Sequence, residues 1–443
     1  MFLDYFLEQF EKNSLKTAII WQDNEFSYKW MLGKIAEAGD FIRNNKIAFG
    51  SVVALRSDFN PHSIAYLLAL IENGNICVPI SYAVKKTDEY YDIAQVEFVI
   101  DIMEDKPTFV KRDVNEFHQI LLKLKDIKHP GLILFSSGST GKSKASVQDF
   151  SALLEKFKVK RHTLKTITFL LFDHIGGVNT LFYILSNCGT IIAPDDRNPD
   201  NICRLIEKYK VELLPTSPTF LNMILIHQSY KSNDISSLKM ITYGTEAMPE
   251  TTLKRFHELF PEIELKQTYG LSELGILRSK SRSSDSLWVK VGGEDYETKV
   301  VDDVLYIKAK TAMLGYLNAK SPFDIEGWFN TQDKVLVDGE WIKILGRETD
   351  IINVGGQKVY PAEVESVLLE IDNITEASVF GKENPLLGKI VAARISLKED
   401  EPLSALKKRI RLFCKDKLES FKIPVDIEIS LKLQVSDRFK KIR

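Results

Sequence analysis

Cysteine is scarce in this sequence. Four cysteines occur in 443 residues, they are widely scattered, and no two of them form a Cys-x-x-Cys pair: Cys77, Cys188, Cys203 and Cys414. This spacing indicates neither a disulfide framework nor a zinc site, so reduced thiols in a cytoplasmic protein are the simplest interpretation.

Long apolar runs are also missing, and the net charge is small. No apolar run approaches the ~18 residues of a membrane span, and residues 1–6 lack the basic segment of a signal peptide. The formal net charge of −2 offers no electrostatic footprint for nucleic acid. The densest basic run, 156–161, is typical of a solvated face. These absences predict a cytoplasmic protein without a membrane span or a nucleic-acid partner.

The length and the order of the segments predict the fold class. A chain of 443 residues is too long for one ordinary core, which indicates two or more domains. Strand-like and helix-like segments alternate, for example a strand at 52–55, a helix at 61–73 and a strand at 78–80. Further helices are predicted at 30–42 and 179–185. Such alternation predicts an α/β protein with largely parallel sheets and flanking helices.

The stretch 136–144 carries the first chemical motif. It follows an apolar run, 132–135, that has the length of a buried strand, and it holds five hydroxyl residues, two glycines and two lysines. Successive amides in a glycine turn can bind an anion, and lysine adds a point charge. A polyphosphate ligand is therefore predicted. The Walker A spacing is not met, because position 136 is serine and Gly138 lies only three residues before Gly141.

The same stretch resembles the phosphate loop of the adenylate-forming enzymes, which include acyl- and aryl-CoA synthetases, firefly-type luciferases and the adenylation domains of peptide synthetases. Ser143 and Ala145 replace the proline and the last glycine of that pattern. Further segments resemble other motifs of the family, in the same order along the chain: 240–246, 267–273, 305–318 with its Gly-Tyr pair, 327–333, 345–347, 350–365 and 436–443.

The resemblance implies a set of site residues. Binding of the ATP phosphates falls on Ser136, Ser137, Gly138, Ser139, Thr140, Gly141 and Lys144. Binding of adenine and ribose falls on Gly244, Thr245, Glu246, Thr268, Tyr269, Gly270, Asp333 and Arg347. The implied catalytic residues are Lys441, Ser272, Glu273 and His174. The residue types suit these roles, because a tyrosine ring can stack on adenine and a glutamate is a hard oxygen ligand for Mg²⁺.

The resemblance also implies two domains, an N-terminal domain over 1–346 that binds AMP and the acyl substrate, and a small mobile α+β lid over 347–443. The hinge is expected at Glu348, Thr349 and Asp350. Gly355 and Gly356 are expected to line the tunnel of the incoming thiol.

The implied activity is the activation of a small carboxylic acid by ATP and Mg²⁺ to an acyl-adenylate, followed by transfer to a thiol. Three hypotheses remain open. The acceptor is CoA, or it is the phosphopantetheine of a separate acyl carrier protein, or the chain has kept the fold and lost the chemistry. Gln332 and Lys440, which replace glycines of the family pattern, favour the third hypothesis.

Overall fold

The structure is a computed structural model that describes residues 2–103, 106–136, 143–430, 436 and 441. Its α-helices in the described ranges are α1 Asp4–Lys12, α2 Tyr28–Asn44, α3 Pro61–Glu72, α4 Thr87–Ile93, α5 Gln119–Asp126, α6 Phe150–Glu155, α7 Ile175–Ser186, α8 Pro199–Tyr209, α9 Pro218–His227, α10 Glu250–Leu259, α11 Pro361–Leu368 and α12 Leu403–Cys414.

The first thirteen strands in the described ranges are β1 Thr17–Trp21, β2 Asn24–Ser27, β3 Val52–Arg56, β4 Ile76–Ile80, β5 Phe98–Ile102, β6 Pro107–Lys111, β7 Gly131–Ser136, β8 Lys144–Asp149, β9 Thr166–Ile167, β10 Ile191–Ala193, β11 Leu213–Thr216, β12 Met240–Tyr243 and β13 Glu264–Gln267. The later strands are β14 Gly270–Leu271, β15 Gly275–Ile276, β16 Arg278–Ser281, β17 Trp288–Gly292, β18 Tyr296–Val301, β19 Val304–Ala309, β20 Gly315–Tyr316, β21 Phe329–Asp338, β22 Trp341–Arg347, β23 Ile352–Val354, β24 Gln357–Val359, β25 Ile374–Asn384, β26 Gly388–Leu397 and β27 Asp426–Ile429.

Two seven-stranded sheets form the first half of the fold. The first has the order β13-β12-β11-β9-β10-β1-β2 and is parallel except for the β1–β2 pair. The second has the order β20-β8-β7-β4-β3-β5-β6, with a parallel centre and antiparallel strands at both edges. Strand β4, Ile-Cys-Val-Pro-Ile, is buried along its whole length, as an inner parallel strand requires.

Helix α3 lies in the core between these sheets. It is buried at every position from Pro61 to Ile71, and a helix that is apolar all round must be enclosed on all sides. Its neighbours in the core come from both sheets, including Ile19 and Ile191 of the first sheet and Val53 of the second. Asn60 and Ser63 form a reciprocal capping box that fixes where the helix begins.

The remaining strands are mostly antiparallel. Strands β16, β17, β22, β21, β19 and β18 form a six-stranded antiparallel sheet. Strands β23 to β27 form a sheet with α11 and α12, and its core is built only from residues within 352–427. The six-stranded sheet therefore departs from the expected parallel pairing, because its hairpin connections need no crossover helix. The mixed C-terminal sheet with its two helices agrees with the expected α+β lid.

The helices predicted at 30–42, 61–73 and 179–185 are present as α2, α3 and α7, with bounds that differ by at most four residues. The four cysteines are buried and unpaired. Among the described residues, no helix combines the length and the apolar character that a membrane span would need.

An ion pair joins the loops at the carboxyl ends of the two seven-stranded sheets. The guanidinium of Arg197, which follows β10, contacts both carboxylate oxygens of Asp58, which follows β3, at 2.7 and 2.9 Å. Arg197 Nε also donates to the carbonyl of Phe169 at 2.7 Å, and the Arg197 side chain is only 8% exposed. This arginine therefore fixes the relative position of the two sheets near the carboxyl ends of their parallel strands.

We expect Arg197→Ala to lower the free energy of unfolding by about 2–4 kcal/mol, because it leaves Asp58 and two carbonyls without their charged donor. Arg43→Ala is the matched control. Its partner is Asp40 and both side chains are about two-thirds exposed, so the loss should stay below ~1 kcal/mol. Urea unfolding of both variants measures the difference. Equal losses would show that Arg197 does not hold the sheets together.

Candidate active site

The predicted phosphate loop joins two antiparallel strands. Ser136 ends β7 and lies opposite Lys144, which begins β8, so the ends of the loop are fixed by strand pairing. The other predicted phosphate-binding residues lie outside the described residues: Ser137, Gly138, Ser139, Thr140 and Gly141. Ser143 is held from two sides, since its hydroxyl bonds Tyr90 at 2.8 Å and its carbonyl accepts from Asn318 at 2.8 Å.

The turn between β14 and β15 carries Ser272 and Glu273. It is hydrogen-bonded to the hairpin of β7 and β8, called here the phosphate hairpin because it carries the predicted phosphate loop. The amide of Gln148 in β8 donates to the carbonyl of Ser272. The Tyr316 hydroxyl donates to Glu273 Oε1 at 2.5 Å, and the ammonium of Lys144 lies 5.4 Å from the centre of the Tyr316 ring. Strand β20, which bears Tyr316, pairs with β8. The predicted phosphate loop and the turn with Ser272 and Glu273 therefore lie at the same edge of the second sheet.

Glu273 suits a magnesium ion that is also held by phosphate. No cluster of three or more histidine, cysteine or acidic side chains exists in the described part of the chain, so the protein offers no closed metal cage there. Mg²⁺ binds through one or two carboxylates together with water and substrate phosphates. A single carboxylate beside a phosphate hairpin matches that preference.

The two predicted adenine segments meet at the ends of β12 and β13. These strands run parallel with Tyr243 opposite Gln267, and the amide of Thr268 donates to the carbonyl of Tyr243 at 2.7 Å. A Cβ atom on Gly244 would lie 2.6 Å from the Thr268 hydroxyl. Only glycine fits there, because the two turns touch.

Two residues near the site hold left-handed backbone conformations without being glycine. Thr245 has φ +75° and an exposed side chain, and this conformation is rare for a β-branched residue. Gln332 has φ +60°, and its amide donates to Asn330 Oδ1 at 2.8 Å. The glycine of the family pattern therefore corresponds to a left-handed position, and Gln332 keeps that backbone conformation.

The predicted ribose residues are a buried aspartate, Asp333, and a half-exposed arginine, Arg347. Asp333 and Arg347 lie opposite each other in β21 and β22, and Arg347 Nε is 3.7 Å from Asp333 Oδ1. The Tyr269 hydroxyl donates to Asp333 Oδ2 at 2.5 Å. The Tyr269 ring is 6% exposed and packs in the core of the six-stranded sheet. Its role in holding Asp333 was not predicted, whereas adenine stacking on Tyr269 stays a prediction.

Burial controls the charge state of this cluster. It raises the pKa of the Asp333 carboxyl above its ordinary value, and the Tyr269 hydrogen bond and the Arg347 charge oppose that rise only in part. Burial also raises the pKa of the Tyr269 hydroxyl, and the adjacent Asp333 raises it further. The hydroxyl therefore remains a donor to the carboxylate at neutral pH.

His174 is the N-cap of α7. Its Nδ1 accepts a hydrogen bond from the amide of Gly176 at 3.1 Å, so a neutral ring carries its hydrogen on Nε2. The preceding Asp173 is buried and accepts from the hydroxyl of Ser81, at the end of β4, at 3.0 Å. A Cβ atom on Gly177 would lie 2.1 Å from a backbone oxygen of Leu171, so the helix can start here only with glycine. These contacts fix the imidazole at the edge shared by the two sheets.

Lys441 lies between the predicted lid and the predicted adenine turn. Its backbone amide donates to Glu246 Oε2 at 3.0 Å. Its ammonium contacts Glu365 Oε2 at 3.0 Å and the carbonyl of Ala377 at 2.8 Å. The predicted catalytic amine is therefore bound within the C-terminal sheet and helix layer in this structure.

The predicted hinge residues Glu348, Thr349 and Asp350 form one 3₁₀ turn. The buried ammonium of Lys334 lies 3.5 Å from Glu348 Oε1, which ties the turn to β21. Gly355 and Gly356 form the turn between β23 and β24 with φ of +56° and +89°, and both are exposed. Their role in a thiol tunnel stays a prediction.

Tyr316, Gln148 and Glu365 were not among the predicted site residues. Tyr316 belongs to a Gly-Tyr segment that the resemblance had already covered, so its motif was a usable signal. The contacts of Gln148 and Glu365 depend on strand register and on domain packing, which motif spacing does not contain.

We expect Asp333→Asn to stabilise the fold at neutral pH. Because the folded-state pKa of Asp333 is raised, the folded protein binds this proton more tightly than the unfolded chain does, and its stability falls as pH rises through that window. The asparagine variant avoids the free-energy cost of a buried charged carboxylate, and its side-chain carbonyl still offers the Tyr269 hydroxyl an acceptor. Its melting temperature relative to wild type should therefore rise as the pH is raised from about 4, the ordinary carboxyl pKa, until the raised folded-state pKa has been passed.

The control is Asp338→Asn, which changes an exposed carboxylate at the end of the same strand. Its melting temperature relative to wild type should stay nearly constant over that range. A similar pH trend in both variants would contradict the assignment of this effect to burial of Asp333.

Comparisons with known proteins find relatives that match both the N-terminal and the C-terminal parts of the chain. An indoleacetate–CoA ligase from Aromatoleum aromaticum is 25% identical over 93% of this chain and 91% of its own length. A 2-succinylbenzoate–CoA ligase from Listeria monocytogenes is 25% identical over 94% and 93%. The solved structure of an anthranilate CoA ligase in complex with anthranoyl-AMP superposes with a TM-score of 0.82 at 21% identity, covering 99% of this chain and 95% of that one.

The structural likeness confirms a two-domain α/β fold, with mixed sheets in the large N-terminal domain and a smaller C-terminal domain. The family model described as AMP-binding enzyme matches residues 6–317, and the model of the AMP-binding enzyme C-terminal domain matches residues 363–439. These matches cover most of the chain, and the protein therefore belongs to the family of AMP-binding, adenylate-forming enzymes.

Proposed function

We propose that the protein activates a small carboxylic acid with ATP and transfers the acyl group to the thiol of CoA. The observation that carries this proposal is the convergence of separate segments. Strand pairing and hydrogen bonds bring Lys144 together with Tyr316 and Glu273. The neighbouring Tyr269 holds Asp333 opposite Arg347. A nucleoside triphosphate would place its phosphates beside Lys144 and Glu273 and its ribose beside Asp333 and Arg347.

In the first step, a carboxylate oxygen attacks the α-phosphorus of ATP, the bond from that phosphorus to the bridging oxygen breaks, and pyrophosphate leaves. Carboxylate and triphosphate repel each other, so fixed positive groups and donors must neutralise the charge. Lys144 and the phosphate loop would hold the departing pyrophosphate, and Ser272 would donate to the α-phosphate. Mg²⁺, when bound through Glu273, supplies further neutralisation of phosphate charge.

In the second step, the sulfur of a deprotonated thiol attacks the acyl carbon, and AMP leaves with the bonding electrons. Asp333 would accept both ribose hydroxyls throughout, which keeps the adenylate in place between the steps. His174, at the start of α7, would border the acyl group. The fixed tautomer of His174 places a donor on Nε2.

Two observations favour CoA as the acceptor over a carrier protein and over a degenerate protein without chemistry. The relatives in the comparisons are named CoA ligases, which favours CoA over a carrier protein as the acceptor. Gln332 keeps the left-handed turn that glycine provides in the family pattern, which favours a working enzyme over a degenerate one. Lys440 lies outside the described residues.

We further propose that residues 1–346 form the substrate domain and that residues 347–443 form a lid that turns about 347–350 between the two steps. The turn would withdraw Lys441 and bring Gly356 to the thiol. In the present orientation α10 and α11 are joined across the domains, because the Thr251 amide and hydroxyl donate to the hydroxyl and carbonyl of Ser366 at 3.0 and 2.7 Å. These part-buried bonds would have to break when the lid turns.

We expect Lys441→Ala to lower acid-dependent exchange of pyrophosphate into ATP by about 10²–10³-fold, because a preorganised charge at the reacting phosphate is lost. The thioester step on supplied acyl-adenylate should continue at nearly the wild-type rate. Lys417→Ala, at a half-exposed lysine of the same domain, is the control and should change neither step. An equal fall of both steps in Lys441→Ala would show that the lysine does not act in adenylation alone.

We expect CoA, and not an acyl carrier protein bearing phosphopantetheine, to accept the acyl group. The first acids to test are aromatic carboxylic acids, since the named relatives act on indoleacetate and 2-succinylbenzoate. Pyrophosphate release across a panel of acids identifies the substrate, and mass spectrometry of the product identifies the acceptor. Thioester formation on the carrier protein alone would overturn the choice of CoA, and absence of exchange with every acid would support the degenerate hypothesis.

A further inference from the structure

Glu365 is an acid in an unusual place. It lies in the second half of the short helix α11, near the negative end of the helix dipole, and its side chain is 1% exposed. One oxygen, Oε1, accepts from the amide of Val379 at 3.0 Å in the neighbouring strand β25. A buried carboxylate in such a position needs a strong partner, because desolvation and the helix dipole both disfavour its charge.

The ammonium of Lys441 is that partner. It contacts Glu365 Oε2 at 3.0 Å and the carbonyl of Ala377 at 2.8 Å, and the lysine side chain is 10% exposed. Two oxygens of the same domain thus replace much of the water around the amine. The salt bridge is therefore well shielded from solvent and from salt.

The backbone of Lys441 is attached to the other domain. Its amide donates to Glu246 Oε2, while Glu246 Oε1 accepts from the amide of Thr219 at the start of α9. Glu246 follows Thr245 in the turn assigned to adenine. The backbone thus lies beside the nucleotide turn while the ammonium points back into the C-terminal domain. A lysine stem has four rotatable carbons, so a change of side-chain conformation alone can redirect the charge.

We propose that Glu365 is a positioning residue that stores the ammonium of Lys441 in the C-terminal domain when no nucleotide is bound. This inference rests on the proposed function, in which Lys441 serves adenylation. The phosphate and carboxylate charges of the substrates compete with Glu365 for the same amine. Storage therefore reduces the fraction of enzyme that is ready for ATP, and it keeps the amine away from the adenylate once pyrophosphate has left.

The test compares wild type with Glu365→Gln in two measurements. The first is acetylation of Lys441 in the free enzyme by an amine-reactive acetyl ester, followed by mass spectrometry of the peptide that contains it. Loss of the charged partner should speed this labelling about tenfold. The second is the pyrophosphate exchange reaction, in which the KM for ATP should fall while the thioester step on supplied acyl-adenylate is unchanged. A purely structural role for Glu365 would not lower that KM.

Glu363→Gln is the matched control. Glu363 lies two residues earlier on α11 and pairs instead with Lys422 at 2.7 Å, so its loss should alter neither Lys441 labelling nor the KM for ATP. Glu365→Asp gives a second variant if the glutamine form does not fold. It keeps the charge but withdraws it by one methylene, and labelling should fall between wild type and the expected glutamine value.

Unchanged labelling of Lys441 in a folded Glu365→Gln or Glu365→Asp variant would overturn the storage role, as would an unchanged or higher KM for ATP. Failure of the proposed function gives a different result. In that case Lys441→Ala would leave pyrophosphate exchange intact, whereas the labelling measurement reports on the Glu365–Lys441 pair whether or not the lysine is catalytic.

Discussion

The hydrogen bond from Tyr316 to Glu273 is the contact on which the rest of the site depends. It crosses from β20 to the turn after β14, and the ring of the same tyrosine lies beside Lys144. One side chain thus sets the distance between a carboxylate suited to Mg²⁺ and a lysine suited to phosphate. In the proposed reaction of two anions, Lys144 would supply positive charge directly and Glu273 would supply it through the Mg²⁺ that it holds, and preorganised groups need no rearrangement during the reaction.

Several features of the site are unfavourable for folding alone. Asp333 is buried although burial raises its pKa, and Thr245 holds a conformation that a β-branched residue rarely adopts. Such features persist only where the surrounding structure enforces them. Here the antiparallel pairing of β21 with β22 fixes Asp333 opposite Arg347, and the touching turns of Gly244 and Thr268 fix the backbone before Thr245. The sheets that surround the site supply the stability that its residues lack.

Local pattern was enough to predict the helices α2, α3 and α7, the strand before the phosphate loop, and the family to which the chain belongs. Each of those features depends on residues that are close in sequence. The antiparallel six-stranded sheet was not predicted, because its pairing joins strands from residue 278 to residue 347. Gln148 and Glu365 were missed for the same reason, because their contacts join residues that are distant in sequence. A glutamine in a strand carries no chemical signal until the register with Ser272 is known.

In the proposed mechanism, the flexible side chain of Lys441 serves a reaction with two incompatible requirements. Adenylation needs a positive charge between two anions, whereas the thioester step needs that space for an incoming thiol. A rigid arginine fork would be held by its bidentate partners, but an ammonium on a long stem can exchange one set of oxygens for another. Glu365 and Ala377 offer such a set in the C-terminal domain. Because the backbone of Lys441 contacts Glu246, the ammonium can change partners by side-chain rotation before the lid turns. The proposed turn of the lid would then withdraw the whole residue and bring Gly355 and Gly356, which are exposed at a hairpin turn in this orientation, to the thiol.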